Sequence, residues 1–176
     1  EWLQCERSSL RVVVTPVTTQ WATITLAGPK ARDVLGALPT DIDLAAASFG
    51  HLRARAGHVA GHECRILRVS FTGELSYEIN VPADAAASLW RQILAAGRAF
   101  DIAPFGIEAT MSLRIEKGFL HVGSDTDGTT VPDDVGFGAA AAKKRADFIG
   151  RRSLSLPENL RADRMQFVGL RAVDPA

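Results

Sequence analysis

The sequence predicts an α+β fold with mainly antiparallel sheets and helices packed on them. Two observations lead to this prediction. Short runs rich in β-branched residues follow one another in pairs, often with only a turn between them. Helical apolar patterns come after these pairs, so the strict strand and helix alternation of a dinucleotide-binding domain is missing.

The first unit consists of two predicted strands and one predicted helix. Arg11–Val14 and Trp21–Leu26 are the β-branched runs, and a turn around Pro16 separates them. The helix begins after Gly28-Pro29 and is stopped by Pro39. Its apolar residues have the i, i+3, i+4, i+7 spacing of a buried helix face: Ala31, Val34, Leu35 and Leu38.

A hairpin and a further strand are predicted next. The hairpin pairs His51–Ala56 with Cys64–Phe71, and Gly57 and Gly61 bracket its turn. The strand from Leu75 to Val81 alternates apolar and polar residues, so one of its faces is expected in the core and the other in contact with solvent.

Two helices follow this strand. Asp84 is a candidate N-cap for a helix that carries an apolar stripe and ends near Gly97. A second helix is predicted from about Ile107 to Lys117, ending at Gly118. The stretch from Gly123 to Gly138 has four Asp and no Lys or Arg, and its many turn residues predict a long structured loop.

The end of the chain is more polar. Lys143–Arg152 carries a basic run, which is expected to be a solvated helix face, with an anion-attracting rim as the alternative. A polar linker from Pro157 to Asp163 and a strand-like Phe167–Leu170 come after it. That strand is expected to begin another domain.

Composition excludes several classes of function. Among 176 residues, 20 Lys and Arg balance 20 Asp and Glu, which argues against a nucleic acid or an anionic membrane as partner. No apolar run approaches the roughly 20 residues that span a bilayer. Cys5 and Cys64 could form at most one disulfide, so a cytoplasmic setting is expected. The chain begins at Glu1 without an initiator Met, and we expect it to be a segment of a longer protein.

Candidate metal sites are weak. On one extended strand, His58, His62 and Cys64 would share a face but spread over about 20 Å, too far for one zinc ion. Asp125 and Asp127 resemble the start of a calcium loop, yet position 12 of that loop would be Gly136 where an EF-hand needs Glu. We therefore expect no metal, and we interpret the acidic loop as a turn held by its own side chains, with an irregular cation site as the alternative.

Glu78 is the most notable carboxylate. It lies on the polar face of the alternating strand, close to a turn that contains Gly73. A strand Glu that faces solvent usually contributes only to solubility, and the residues by themselves leave both interpretations open.

Three separated motifs resemble one family. They are VSFTGELSYEI at 69–79, MSLRIEKGFL at 111–120 and GSDTDGTTVPDDVGFG at 123–138. In this order they are similar to the glycine-cleavage T-protein (aminomethyltransferase) superfamily, and within it to the C-terminal folate-handling part of sarcosine oxidase alpha subunits. The opening Glu1-Trp2-Leu3-Gln4 and the Gly28-Pro29 helix start fit the same pattern, so the resemblance covers nearly the whole chain.

The resemblance implies a tetrahydrofolate-binding domain over residues 1–160, with 161–176 as a linker and the start of a C-terminal barrel domain. It implies that sarcosine is oxidised at a flavin on another subunit and that tetrahydrofolate captures the one-carbon imine, leaving glycine. Flavin and NAD would belong to the parent complex, and the partners would be folate and the other subunits of a hetero-oligomeric oxidase. The implied folate contact is Glu78, with Tyr77 and Thr110 as further site residues.

Two departures from the family pattern keep rivals open. Thr110 stands where the T-protein pattern has an Arg, so one charged folate contact is missing, as it is in the oxidase relatives. The family's catalytic Asp would lie upstream of Glu1, so no catalytic residue is expected here and the chain alone is expected to be inactive. The rivals are a subunit-interface module without folate binding and a free-standing aminomethyltransferase.

Overall fold

A four-stranded antiparallel sheet forms the centre of the first part of the chain. The structure is a computed structural model that describes residues 11–171 and residue 173. The chain divides into two compact units, Glu1–Met111 and Ser112–Ala176. The boundary expected near residue 160 between a folate-binding domain and a barrel domain stays a prediction.

The sheet of the first unit has the strand order β1-β4-β3-β2, and all its pairings are antiparallel. Its strands are β1 (Trp21–Ala27), β2 (Ala54–Val59), β3 (His62–Leu67) and β4 (Ser76–Pro82). Two helices accompany it, α1 (Ala31–Gly36) and α2 (Ala86–Gly97). This arrangement confirms the predicted α+β class.

One face of the sheet is buried and the other is open. The core combines this face with apolar residues of both helices and of the segment between α1 and β2. Its fully buried members are Leu35, Phe49, Val59, Cys64, Ile66, Tyr77, Ile79, Val81 and Leu89. From Tyr77 to Pro82 the burial alternates as predicted, because every second side chain of a strand points to the same face. Ser76 is the exception, since it was expected on the solvent face and is buried.

The turn between β2 and β3 differs from the prediction. The chain reverses at Ala60 and Gly61, whose φ values are 51° and 81°, as a two-residue turn with positive φ at both central positions requires. Gly57 lies inside β2. A glycine is needed there because a Cβ would be 2.5 Å from Asp41 Oδ1 and 2.6 Å from Ile42 Cγ1. This glycine marks a close approach of two segments and no turn.

Three further local predictions are wrong. Residues 11–17 have no regular secondary structure, and Val13 is 86% exposed, so the run does not gain the burial that favours β-branched residues in strands. Asp84 does not cap α2: the N-cap residue is Ala85, with no side-chain cap bond. Phe167–Leu170 has no regular secondary structure either, and Leu170 is 96% exposed.

The second unit contains little regular structure. Helix α3 (Ile107–Lys117) has the predicted bounds and contains the boundary between the units, and the five-residue α4 (Gly138–Ala142) follows the acidic loop. Short 3-10 turns make up the rest: Pro132–Val135, Arg152–Ser155 and Pro157–Leu160. The basic run after residue 142 is exposed but not helical, so the predicted helix face is wrong there. Among the residues described, no helix is long and apolar enough to cross a membrane.

Candidate functional site

The open face of the sheet contains Glu78 at its centre. This residue is half-buried on β4, a central strand, between Thr25 of β1 and Leu67 of β3. In the part of the chain that the structure describes, no hydrogen bond or ion pair involves its carboxylate. The two oxygens of Glu78 are therefore available as acceptors on a supported surface.

A second polar pair lies one step along the same face. The Thr23 hydroxyl donates to Asn80 Oδ1 at 2.7 Å, and these two residues are direct cross-strand partners. The Asn80 amide reaches back to the backbone oxygen of Arg65 at 3.5 Å. The hydroxyl of Thr23 is therefore already bound to Asn80. The neighbouring Glu78 carboxylate stays available for a ligand.

A cation–π contact lies beyond this pair on the open face. The Arg65 guanidinium lies over the Trp21 ring, 4.4 Å from its centroid. Trp21 is opposite Pro82 and Arg65 is opposite Asn80, so the contact crosses β4. A stacked ring and guanidinium stiffen one end of the face on which Glu78 stands.

Tyr77, expected among the site residues, points away from this face. Its side chain is fully buried, and its ring centroid is 5.7 Å from that of Phe49. Its hydroxyl accepts a hydrogen bond from Arg32 Nε at 3.1 Å. Tyr77 and Glu78 are thus neighbours on β4 that point to opposite faces, Tyr77 into the core and Glu78 to the open face.

Thr110, the third expected site residue, borders an apolar groove of about 270 Å³ along the edge strand β1. Its hydroxyl donates to the backbone oxygen of Gly106 at 3.2 Å, within its own helix. Residues 23–27 of β1 also line the groove, Thr25 among them, while Glu78 and Tyr77 do not border it. Thr25, the cross-strand neighbour of Glu78, therefore borders both the groove and the Glu78 surface.

The loop before β4 contains buried polar atoms that the sequence analysis did not single out. Thr72 is 8% exposed, and its hydroxyl has no hydrogen-bond partner among the described residues. Arg68 Nε is likewise buried and unpartnered within the described part of the chain. Gly73 donates its backbone N–H to the Ser70 hydroxyl at 2.9 Å, which fixes the turn that leads into β4.

Two pairs of arginine and aspartate organise the acidic loop of the second unit, and the sequence analysis missed both. Arg114, the buried residue of α3, forms an ion pair with Asp125. The backbone N–H of His121 and the Arg114 guanidinium together lower the pKa of Asp125. The sequence did contain one indication of them. A loop with four Asp and no Lys or Arg needs positively charged partners from elsewhere in the chain.

The second pair joins Asp134 to Arg164. Arg164 Nε donates to Asp134 Oδ1 at 2.8 Å, and the Arg164 guanidinium, helped by the backbone N–H of Val131, lowers the pKa of Asp134 to about 2. Asp127 is held locally, because its carboxylate accepts the backbone N–H and the hydroxyl of Thr129. The turn-like side-chain bonding predicted for this loop is confirmed, and a cavity of about 490 Å³ lies between it and residues 161–168.

The His and Cys residues of the hairpin do not converge. His58 lies opposite Glu63 and His62 opposite Val59, so in the hairpin the two imidazoles are on different faces, whereas on one extended strand they would have shared a face. His58 Nδ1 is 2.9 Å from Asp41 Oδ2, and burial raises the pKa of the Cys64 thiol to about 11. Within the described residues, no three His, Cys, Asp or Glu side chains form a group that could hold a metal ion.

Comparison with known proteins places the chain in a family. The profile of the GCVT N-terminal domain matches residues 1–145. The chain is 44% identical to the sarcosine oxidase subunit alpha of Corynebacterium sp. strain P-1, over 100% of this chain and 18% of that protein. It is 35% identical to the aminomethyltransferase of Moorella thermoacetica, over 98% of this chain and 46% of that protein.

A solved structure agrees with these relatives. The heterotetrameric sarcosine oxidase from Corynebacterium sp. U-96, in complex with pyrrole 2-carboxylate, matches with a TM-score of 0.50 and 25% identity. The match covers 59% of this chain and 51% of that one. The chain spans less than half the length of the curated relatives described above. With its antiparallel sheet and its matches to both enzyme groups, the chain belongs to the GCVT N-terminal domain family.

Proposed function

We propose that this chain is the tetrahydrofolate-binding domain of a sarcosine oxidase alpha subunit and that Glu78 holds the pterin ring. The observation that carries the proposal is the Glu78 carboxylate, which is half-buried on a rigid strand and has no partner in the described part of the chain. The 44% identity to a sarcosine oxidase alpha subunit supports this branch over the aminomethyltransferases, which match at 35%.

The chemistry of a carboxylate suits a pterin. An ionised carboxylate accepts two parallel hydrogen bonds, and a pterin offers two adjacent donors, the ring N3–H and the 2-amino group. Such charge-assisted pairs are strong and orient a flat ring. Because Ile79 and Tyr77 fix β4 from the core side, Glu78 presents its oxygens without moving the strand.

The parent reaction that we propose is the oxidative demethylation of sarcosine. The imine would form at a flavin on another subunit, and tetrahydrofolate bound here would take up the one-carbon unit as glycine leaves. The catalytic Asp of the family and the flavin and NAD sites would then lie in other parts of the complex. The cytoplasmic location expected from the two cysteines stays a prediction.

One observation favours a rival. Thr110 stands where the T-protein pattern has an Arg, and its hydroxyl is used within its own helix. A module that had kept this fold as a subunit interface and lost folate binding would have the same feature. The roles of Tyr77 and Thr110 as folate contacts also stay predictions, and for Tyr77 the buried ring and the bond to Arg32 favour a packing role instead.

Calorimetric titration with 5-formyltetrahydrofolate tests the proposal. We expect the chain to bind this folate and Glu78→Gln to weaken binding about ten- to hundredfold, because the amide keeps the size of the side chain but loses its charge and one acceptor. Glu63→Gln is the matched control, since Glu63 is exposed on the neighbouring strand β3. The wild-type chain failing to bind would favour the interface module, and equal affinities for wild type and Glu78→Gln would remove Glu78 from the site.

A further inference from the structure

The pairing of β1 with β4 places Thr25 beside Glu78. The backbone N–H of Gly28 donates to Leu75 O, and that of Ala83 donates to Gln20 O, both at 2.9 Å. Since hydrogen-bonded and non-hydrogen-bonded pairs alternate along an antiparallel ladder, the Thr25–Glu78 pair is non-hydrogen-bonded. In such pairs the side chains approach most closely, with Cα atoms about 4.5 Å apart.

Two equivalent pairs on this face differ in their hydrogen bonding. Thr23 and Asn80 also form a non-hydrogen-bonded pair, and their side chains are joined by the 2.7 Å hydrogen bond. At the next such position, the exposed Thr25 hydroxyl and the Glu78 carboxylate have no partner among the described residues. A donor and a pair of acceptors therefore stand side by side and unused.

We infer that Thr25 is a second contact for the pterin ring, donating its hydroxyl hydrogen bond to the carbonyl oxygen O4. This inference rests on the proposed folate site. The recognition edge of a pterin presents three groups in a row: an acceptor at O4, a donor at N3 and a donor at the 2-amino group. Glu78 supplies acceptors for the two donors, and Thr25 on the adjacent strand supplies the donor that O4 requires.

Thr25 and Glu78 together favour one arrangement of donors and acceptors on the bound ring. A ring that carries a 4-oxo group and a protonated N3 matches the order of donor and acceptors on the sheet. Pairing Glu78 alone would leave O4 without a partner as the ring covers the strand, and a desolvated carbonyl without a hydrogen bond weakens binding. Thr25 thus adds specificity to the orientation that the carboxylate provides.

Calorimetry with 5-formyltetrahydrofolate and hydroxyl variants tests the inference. Thr25→Val removes the hydroxyl and keeps the β-branched shape that suits an edge strand, so the melting temperature is expected to stay unchanged. We expect the dissociation constant to rise about two- to tenfold. Thr25→Ser, which keeps the hydroxyl, is expected to bind as the wild type does.

Thr23→Val is the matched control, because Thr23 is an exposed threonine on the same strand and face whose hydroxyl is already bound to Asn80. It should leave the affinity unchanged. Unchanged affinity of Thr25→Val, with Glu78→Gln weakened, would overturn the role of Thr25 and leave the proposed function intact. A loss in Thr25→Val that Thr25→Ser does not restore would also overturn it, since the hydroxyl would then not be the group required. Absence of binding by the wild-type chain would overturn both.

Discussion

Arg164 donates two hydrogen bonds to Asp134, a residue 30 positions earlier in the chain. The same guanidinium also donates to the backbone oxygens of Thr129, at 2.7 Å, and Glu158, at 3.1 Å. The backbone N–H of Phe167 donates to Asp134 O at 2.7 Å. One arginine therefore ties the acidic loop, a 3-10 turn and the following segment together in a unit that has little regular structure.

This pair predicts a loss of stability in acid. Arg164 lowers the pKa of Asp134 to about 2 from an ordinary value of 3.8. A lowered pKa in the folded state means that the stabilisation is complete above about pH 4 and is lost as the pH falls toward 2. A carbon-13 NMR titration of the Asp134 carboxyl should have its midpoint near 2, and the melting temperature should fall over the same interval.

Asp134→Asn is the control for the acid transition. This variant lacks the titrating group. Its melting temperature should be lower than that of the wild type at neutral pH, and it should fall less as the pH is lowered. An Asp134 midpoint near 3.8 would show that Arg164 does not hold this carboxylate in solution.

The sequence revealed the Glu78 strand but neither arginine pair, for a physical reason. Strand alternation is a local pattern, and on β4 it predicted the burial of Tyr77, Ile79 and Val81 and the position of Glu78 on the open face, but not the burial of Ser76. Arg114 is buried and Arg164 half-buried because each pairs with an aspartate. These partners are 11 and 30 residues away in the chain. No periodicity of the sequence reports such a pairing, so the sequence did not single out either arginine.

The failures at both ends of the described chain have a common cause. Val13 and Leu170 belong to runs with strong strand propensity, yet they are 86% and 96% exposed. β-propensity measures fit to a half-buried pleated surface, and a single sequence does not show whether that surface is supplied. The Gly57 prediction failed differently, because glycine serves close packing as well as turns.

Gly57→Ala is expected to destabilise the first unit by about 1 to 3 kcal/mol, the usual cost of overpacking. The added Cβ would come within 2.6 Å of Asp41 Oδ1 and Ile42 Cγ1, so the segment over β2 must shift. Urea unfolding followed by tryptophan fluorescence measures the change. Gly50→Ala is the control, because a Cβ there meets nothing within 4 Å and its stability should stay within about 0.5 kcal/mol of the wild type.

A chelator is expected to leave the melting temperature unchanged. Three of the four carboxylates of the acidic loop already have partners: Asp125 is paired with Arg114, Asp134 with Arg164, and Asp127 with Thr129. Local side-chain bonds of this kind hold a loop without a cation. Melting by scanning calorimetry with and without EDTA checks this, and a drop of several degrees that calcium reverses would support the irregular cation site.

Tyr77→Phe separates a packing role from ligand contact at the strand that carries Glu78. The Tyr77 hydroxyl is buried and accepts a 3.1 Å hydrogen bond from Arg32 Nε. Removing it leaves the ring contact with Phe49 in place but deprives the guanidinium of an acceptor, and losing a hydrogen bond to a charged group costs about 1.5 to 3 kcal/mol. Because the hydroxyl lies on the core side of β4, the affinity for 5-formyltetrahydrofolate should remain that of the wild type while the stability falls. Urea unfolding and calorimetry on one preparation give both numbers. An affinity that drops at unchanged stability would make Tyr77 a ligand contact and would require the core side of β4 to open when folate binds.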